Sequence, residues 1–187
     1  MNNLSITDWY HQFIRQQVRP GDHCADGTMG NGNDTLLLSR LCGAEGHVYA
    51  FDIQDIALQN TRALLAKEKA PANTELFLES HENMDRFIAP ASLSCVVFNF
   101  GWLPGGDHSL ATRADVSIRA MEKALPLLKA EGLLVLCLYS GKDTGFEERD
   151  RILSWLQKLD PKRYLVIRSD YYNRPNHPPV PVLVIKL

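Results

Sequence analysis

The chain has 187 residues, 45% hydrophobic and 22% charged, enough for one sizeable core, too apolar for intrinsic disorder and too short for two full domains. Its net charge of -2 combines an acidic half, residues 1–94 with 7 Lys+Arg against 12 Asp+Glu, and a mildly basic half, residues 95–187 with 13 against 10. There is no continuous basic stripe, no run near the ~20 apolar residues that span a bilayer and no basic and apolar leader at the start, so a cytoplasmic protein without a membrane partner is expected.

Helical periodicity over 6–18 comes first, followed by a short strand over 23–25, a glycine-rich turn over 26–34 and a helix over 34–41. Gly30 and Gly32 let the backbone bend tightly and approach a ligand, which the amides at the helix start would face. A dinucleotide site wants G-x-G-x-x-G, but the third position here is Thr35. Asp26, closing the strand, suits the ammonium of a methionine moiety and repels a pyrophosphate. The turn therefore favours S-adenosyl-L-methionine over a dinucleotide, the plain alternative being that Asp26 only caps the turn.

The second strand, 48–51, ends at Asp52, 20 residues after Gly32, the spacing at which an acid meets ribose hydroxyls. Gln54 would border the adenosine. The other reading of Asp52 is a cap for the helix over 56–69. A third strand, 75–78, leads to Ser80 and His81, placed to line the adenine, although Ser80 also suits a cap for a short helix over 83–88.

After the fourth strand, 94–98, comes Asn99-Phe100-Gly101-Trp102-Leu103-Pro104-Gly105-Gly106-Asp107-His108, at the sheet edge where ligands bind in open α/β folds. Amino-group methyltransferases often carry [DN]-P-P-[YF] here, so Asn99 is a candidate to orient a nucleophilic amine and Trp102 to hold the substrate ring. Phe100-Gly101 replaces the prolines. The competing reading is a loop packed beneath the ligand.

A helix over 114–129 and a strand over 133–138 lead to Tyr139-Ser140-Gly141-Lys142; a helix over 146–159, a strand over 164–168 and the helix-free connection 169–179 precede the last strand, 182–187. Tyr139 lies at the same rim. Lys142 and Arg174 are candidates for phosphate contacts, and Tyr172 or His177 for stacking on a base.

Alternating strands and helices imply a parallel sheet covered on both faces, and the final connection suits an antiparallel pair. The expected architecture is α/β, a single Rossmann-like class I methyltransferase domain over 1–187, with seven mostly parallel strands and a C-terminal antiparallel hairpin. Cys24, Cys42, Cys95 and Cys137 form no C-x-x-C pair and read as buried reduced thiols, with no metal site expected.

Taken together, D-x-T-x-G-N-G-x-D-T, F-D-I-Q, S-H-E-N, N-x-G-x-L-P-G-G-D, Y-x-G and a late N-x-x-x-x-P-P, in one order over nearly the whole chain, resemble the bacterial family labelled rRNA methylases, also called MraW-like or YtqB-like. Members look like tRNA methyltransferases, the MnmM type, that convert 5-aminomethyl-2-thiouridine at the wobble position to its methylaminomethyl form. The resemblance implies a cofactor near Asp26, Thr28, Gly30, Asn31, Gly32, Asn33, Asp34, Thr35, Asp52, Gln54, Ser80, His81 and Asn99. It implies substrate chemistry at Asn99, Gly101, Leu103 and Asp107, with Asp107 or a water taking the amine proton.

The implied partner is RNA, at the anticodon region of tRNA; a homodimer is compatible with the sequence and not specified by it. Two departures stand out: Lys142 where the family commonly has histidine, and Asp26-Gly27 where it commonly has aspartate-alanine. Rival readings are an rRNA or small-molecule methyltransferase on the same fold, an NAD-dependent oxidoreductase, which Thr35 and Asp26 disfavour, and a non-catalytic binding module.

Overall fold

The computed structural model describes residues 4–101, 113–140 and 145–187. Chain order is α1 (Ile6–Gln17), β1 (His23–Asp26), α2 (Asn33–Cys42), β2 (His47–Asp52), α3 (Asp55–Lys67), β3 (Thr74–Leu78), a 3-10 helix (His81–Arg86), β4 (Leu93–Phe100), α4 (Ala114–Leu127), β5 (Leu128–Leu138), α5 (Gly145–Leu156), β6 (Tyr164–Arg168) and β7 (Val180–Lys186). The seven strands lie in the order β3-β2-β1-β4-β5-β7-β6. β1 to β5 are mutually parallel, while β7 runs antiparallel to both β5 and β6. The helix-free connection 169–179 thus closes an antiparallel pair, as its length requires.

Side-chain alternation splits the core into two layers. Cys24, Val48, Cys95, Val97 and Val135 pack with Tyr10, Ile14 and Val18 of α1 and its C-cap and with Leu38 and Cys42 of α2; Ala25, Phe51, Val96, Phe98 and Leu134 pack with Met121, Ala124 and Leu125 of α4 and Ile152 of α5. The spacing Tyr10, Ile14, Val18 is one helical stripe, which fixes the face α1 lays on the sheet. A capping box starts that helix, with Ser5 Oγ accepting the Asp8 N–H and the Asp8 carboxylate accepting the Ser5 N–H. All four cysteines are buried free thiols.

Most element boundaries move by one to three residues from those read in the sequence, and three of the shifts have a visible cause. The short helix expected over 83–88 is a 3-10 helix over His81–Arg86, capped by Ser80 Oγ accepting the Glu82 N–H. β5 begins at Leu128, five residues early, because Leu128 pairs with Leu93 before the chain bulges and resumes at Leu133 opposite Cys95. β7 begins at Val180 despite Pro181, whose carbonyl accepts the Ser169 N–H; a proline near the first residue of a strand costs little of the ladder.

Candidate active site

β1 and β4 are neighbours from which the chain proceeds in opposite directions across the sheet, so their carboxyl ends frame the crevice where α/β folds bind ligands. Three bonds tie the turn after β1 into that crevice: Gly27 N–H to Val97 O (2.9 Å), Met29 N–H to Phe51 O (3.0 Å), and Asn99 N–H to Thr28 Oγ1 (2.7 Å). Gly30 (φ 49°) and Gly32 (φ 83°) take left-handed backbone, and a Cβ on Gly32 would lie 2.9 Å from the Thr61 backbone.

Asp26 is fully buried. Its carboxylate accepts the Thr35 hydroxyl at 2.6 Å and the Thr28 N–H at 3.1 Å, so in this conformation it holds the turn together. Burial and the neighbouring Asp34 carboxylate push its pKa up to about 7, against the two hydrogen bonds. An acid whose folded pKa exceeds its unfolded value adds stability that is complete below the unfolded pKa, near 3.8, and gone above about 7. The Tm of Asp26→Asn, neutral at every pH, should therefore rise relative to that of the wild type as pH goes from 4 to 7, with a constant difference beyond; calorimetric scans of the protein without added ligand check this, and a pH-independent difference would refute it.

Asp52 accepts the Gly30 N–H (3.1 Å) and the Gln54 N–H (3.0 Å), linking the glycine turn to the start of α3. Beside it Ile53 is 54% exposed, as is Leu78 at the register position opposite Asp52. Asn31 Oδ1 accepts from the Asn60 amide, and Asn33 opens α2 on the exposed side. His81 is buried, its Nδ1 2.9 Å from Gly27 O and its ring edge-on to Phe98. With Nδ1–H donating to that carbonyl, Nε2 is left as an acceptor, and among the described residues it has no partner. Burial lowers the His81 pKa, which favours the neutral ring.

The centre of the site is a cluster the sequence did not announce. Asp34, in the first turn of α2, receives three groups: Tyr10 Oη at 3.0 Å, Asn99 Nδ2 at 2.6 Å, and His11 Nε2 at 2.5 Å. Tyr10 Oη is also 3.2 Å from Asn99 Oδ1. A carboxylate only accepts, so Asp34 draws the amide nitrogen of Asn99 and turns its oxygen the other way. Tyr10 and His11 come from α1, and nothing in their sequence surroundings set them apart.

At the far rim, Gly101 approaches the Tyr139 side chain, where an added Cβ would sit at 3.1 Å. His177 is exposed and meets Phe146 of α5 edge-on, with Arg149 over the other ring; Arg174 and Tyr172 are exposed on the same connection. Tyr171 Oη lies 3.1 Å from both the Leu4 and Ser5 carbonyls, which brings that connection beside the start of α1. Trp102, Leu103, Asp107 and Lys142 lie outside the described residues.

Comparison with known proteins follows the same lines. The family described as "putative rRNA methylase" matches residues 48–185. A protein of the same description from Clostridium thermocellum superposes with a TM-score of 0.96 at 39% identity, covering 100% of both chains. A protein described as a methyltransferase from Streptococcus mutans, solved in complex with SAH, gives 0.87 at 32% identity over 97% of each. The chloroplastic tRNA (mnm(5)s(2)U34)-methyltransferase of Arabidopsis thaliana is 33% identical over 181 residues, covering 92% of this chain; the chain spans 66% of that protein's length. These likenesses establish the Rossmann-like class I methyltransferase fold.

Proposed function

Because this chain belongs to the rRNA methylase family, we propose that it is an S-adenosylmethionine-dependent methyltransferase that N-methylates the 5-aminomethyl group of (2-thio)uridine at the wobble position of tRNA. The observation that carries the reading is the turn over 26–34, ringed by the carboxylates of Asp26, Asp34 and Asp52 and ending against an Asn99 amide held in one orientation. Negative charge at Asp34 and Asp52, with Asp26 buried behind them, suits a ligand with sulfonium and ammonium charges and repels a pyrophosphate. Asp52 presents oxygens for ribose hydroxyls, Ile53 an exposed apolar face for a base, and His81 a buried acceptor with no donor among the described residues. A relative from Streptococcus mutans binds SAH, the demethylated product of that cofactor, and a relative from Arabidopsis is a tRNA (mnm(5)s(2)U34)-methyltransferase, which supports both halves of the reading.

When bound, S-adenosylmethionine supplies a methyl group on a good leaving group. The chain's own residues then have to bind, orient and deprotonate. Asn99 Oδ1, turned away from Asp34, accepts an N–H of the substrate amine and aims its lone pair. Arg174, His177 and Tyr172, with Lys142 and Trp102, belong to the RNA side, at the anticodon arm. The reading places the protein in the cytoplasm with its tRNA, as a monomer or homodimer.

Mass spectrometry of tRNA nucleosides from a strain lacking the protein is the direct test: methylaminomethyl-uridine should vanish and its aminomethyl precursor accumulate, and unchanged levels would refute the wobble assignment. In purified protein, Asn99→Ala should bind S-adenosylhomocysteine as the wild type does while transferring methyl about 10²-fold more slowly. Full rate in that variant would remove Asn99 from the mechanism.

A further inference from the structure

An alkylamine is mostly protonated near neutral pH, and an ammonium has no lone pair with which to attack a methyl group. The Asp26 carboxylate is enclosed and committed to Thr35 and Thr28. Resting on the amine-methyltransferase reading above, we propose that Tyr10, Asp34 and His11 form the path that removes the substrate's proton, with His11 as the group that finally takes it. Helix α1 would then be part of the catalytic apparatus as well as a cover for the sheet.

The geometry supports each link. Tyr10 Oη and Asn99 Oδ1 are 3.2 Å apart, so one nitrogen bound at Asn99 is within reach of both oxygens. Tyr10 Oη contacts Asp34 Oδ2, and the other carboxylate oxygen, Oδ1, contacts His11 Nε2. Exposure rises along the path, from Tyr10 at 1% through the Asp34 side chain at 8% to the His11 side chain at 12%, so the outlet is at His11. Burial and Asp34 push the Tyr10 pKa upward, so its hydroxyl passes a proton on without ionising.

In the transfer an N–H bond of the ammonium breaks as a proton binds Tyr10 Oη, and the Tyr10 O–H bond breaks as its proton binds the Asp34 carboxylate. By a turn of that carboxyl group the same proton passes to His11 Nε2, which is unprotonated in the Nδ1–H tautomer. The amine is left neutral with its lone pair, and the charge sits on an imidazolium paired with the Asp34 carboxylate, as in other carboxylate-histidine pairs. His11 then releases the proton to water. The groups facing this path are Asp8 on α1, Asp34 and behind it Asp26, and Cys137 and Tyr139 from the end of β5.

His11→Gln keeps an amide for Asp34 and a good helix former, but cannot accept the proton. With tRNA carrying the aminomethyl group, single-turnover methyl transfer should fall about 10²-fold at pH 7. The deficit should shrink steadily toward pH ~10, where an alkylamine loses its proton unaided. Tyr10→Phe should show the same pH-dependent deficit, and it carries the test if the first variant does not fold. Calorimetric binding of S-adenosylhomocysteine should be unchanged in both. A deficit of equal size at every pH marks a packing role and overturns the proposal, as does a full rate at pH 7. If the wild type itself leaves the aminomethyl group unmodified, the functional reading fails and takes this inference with it; if the wild type methylates it and His11→Gln does so equally well, the inference alone fails.

Discussion

Asp34→Ala should lower stability by about 3 kcal/mol, roughly 6–12 °C in Tm for a chain of this size, and abolish methyl transfer. The carboxylate is the common partner of Tyr10, His11 and Asn99, and no other described acceptor bonds the Asn99 amide nitrogen. Tyr10 alone keeps an alternative in Asn99 Oδ1. Part of the loss is offset, because Asp34 is one of the charges that raise the Asp26 pKa, and its removal relieves that repulsion. Asp34→Asn separates the effects: one acceptor oxygen survives, the repulsion goes, and an amide nitrogen now faces donors. It should fall between the wild type and Asp34→Ala in thermal scans, yet be as inactive as Asp34→Ala, because Asn99 is no longer held in one orientation. An Asp34→Ala protein that melts with the wild type would show that the cluster contributes nothing to the fold.

The second large effect concerns Gly27, where the family commonly has alanine. In this chain a Cβ at that position would lie 2.1 Å from Phe98 Cε1 and 2.4 Å from Cδ1. Phe98 is completely buried, stacked on Phe100 at 5.1 Å and edge-on to His81, so its ring has little room to retreat. Gly27→Ala should therefore cost about 2–3 kcal/mol, as overpacking of a filled core does. It should also weaken S-adenosylhomocysteine binding, because Gly27 O is the partner that orients His81. Phe98→Leu should lose some stability of its own by cavity formation but make the alanine tolerable. A double-mutant cycle checks this: a positive coupling above about 1 kcal/mol is expected, and additivity would show that the ring is not what excludes the side chain.

Much of the fold was legible because the signals are local. A helix or strand declares itself by the period of its apolar residues, and each of the seven strands and the helices between them appears near its expected place. The errors fall where pairing partners decide: β5 starts at Leu128 because Leu93 lies opposite. The glycine turn and Asp52 could be read for the same local reason, since the bend and the spacing lie within one strand-turn-helix unit. Ser80 proved to be a cap, and Asp26 a brace for its own turn, readings the sequence held open.

By itself, then, the sequence determined the element order and the acid-bearing glycine turn, which depend on residues close together along the chain, and the family, which shows in a fixed order of short local motifs. The tertiary structure alone decided that Tyr10 and His11, 24 and 23 residues before Asp34, meet its carboxylate, that Asn99, 65 residues beyond Asp34, is held in one orientation by it, and that Asp26 sits where burial raises its pKa to about 7. Those outcomes depend on distance through space and on exclusion of water, and neither quantity has a periodicity along a chain.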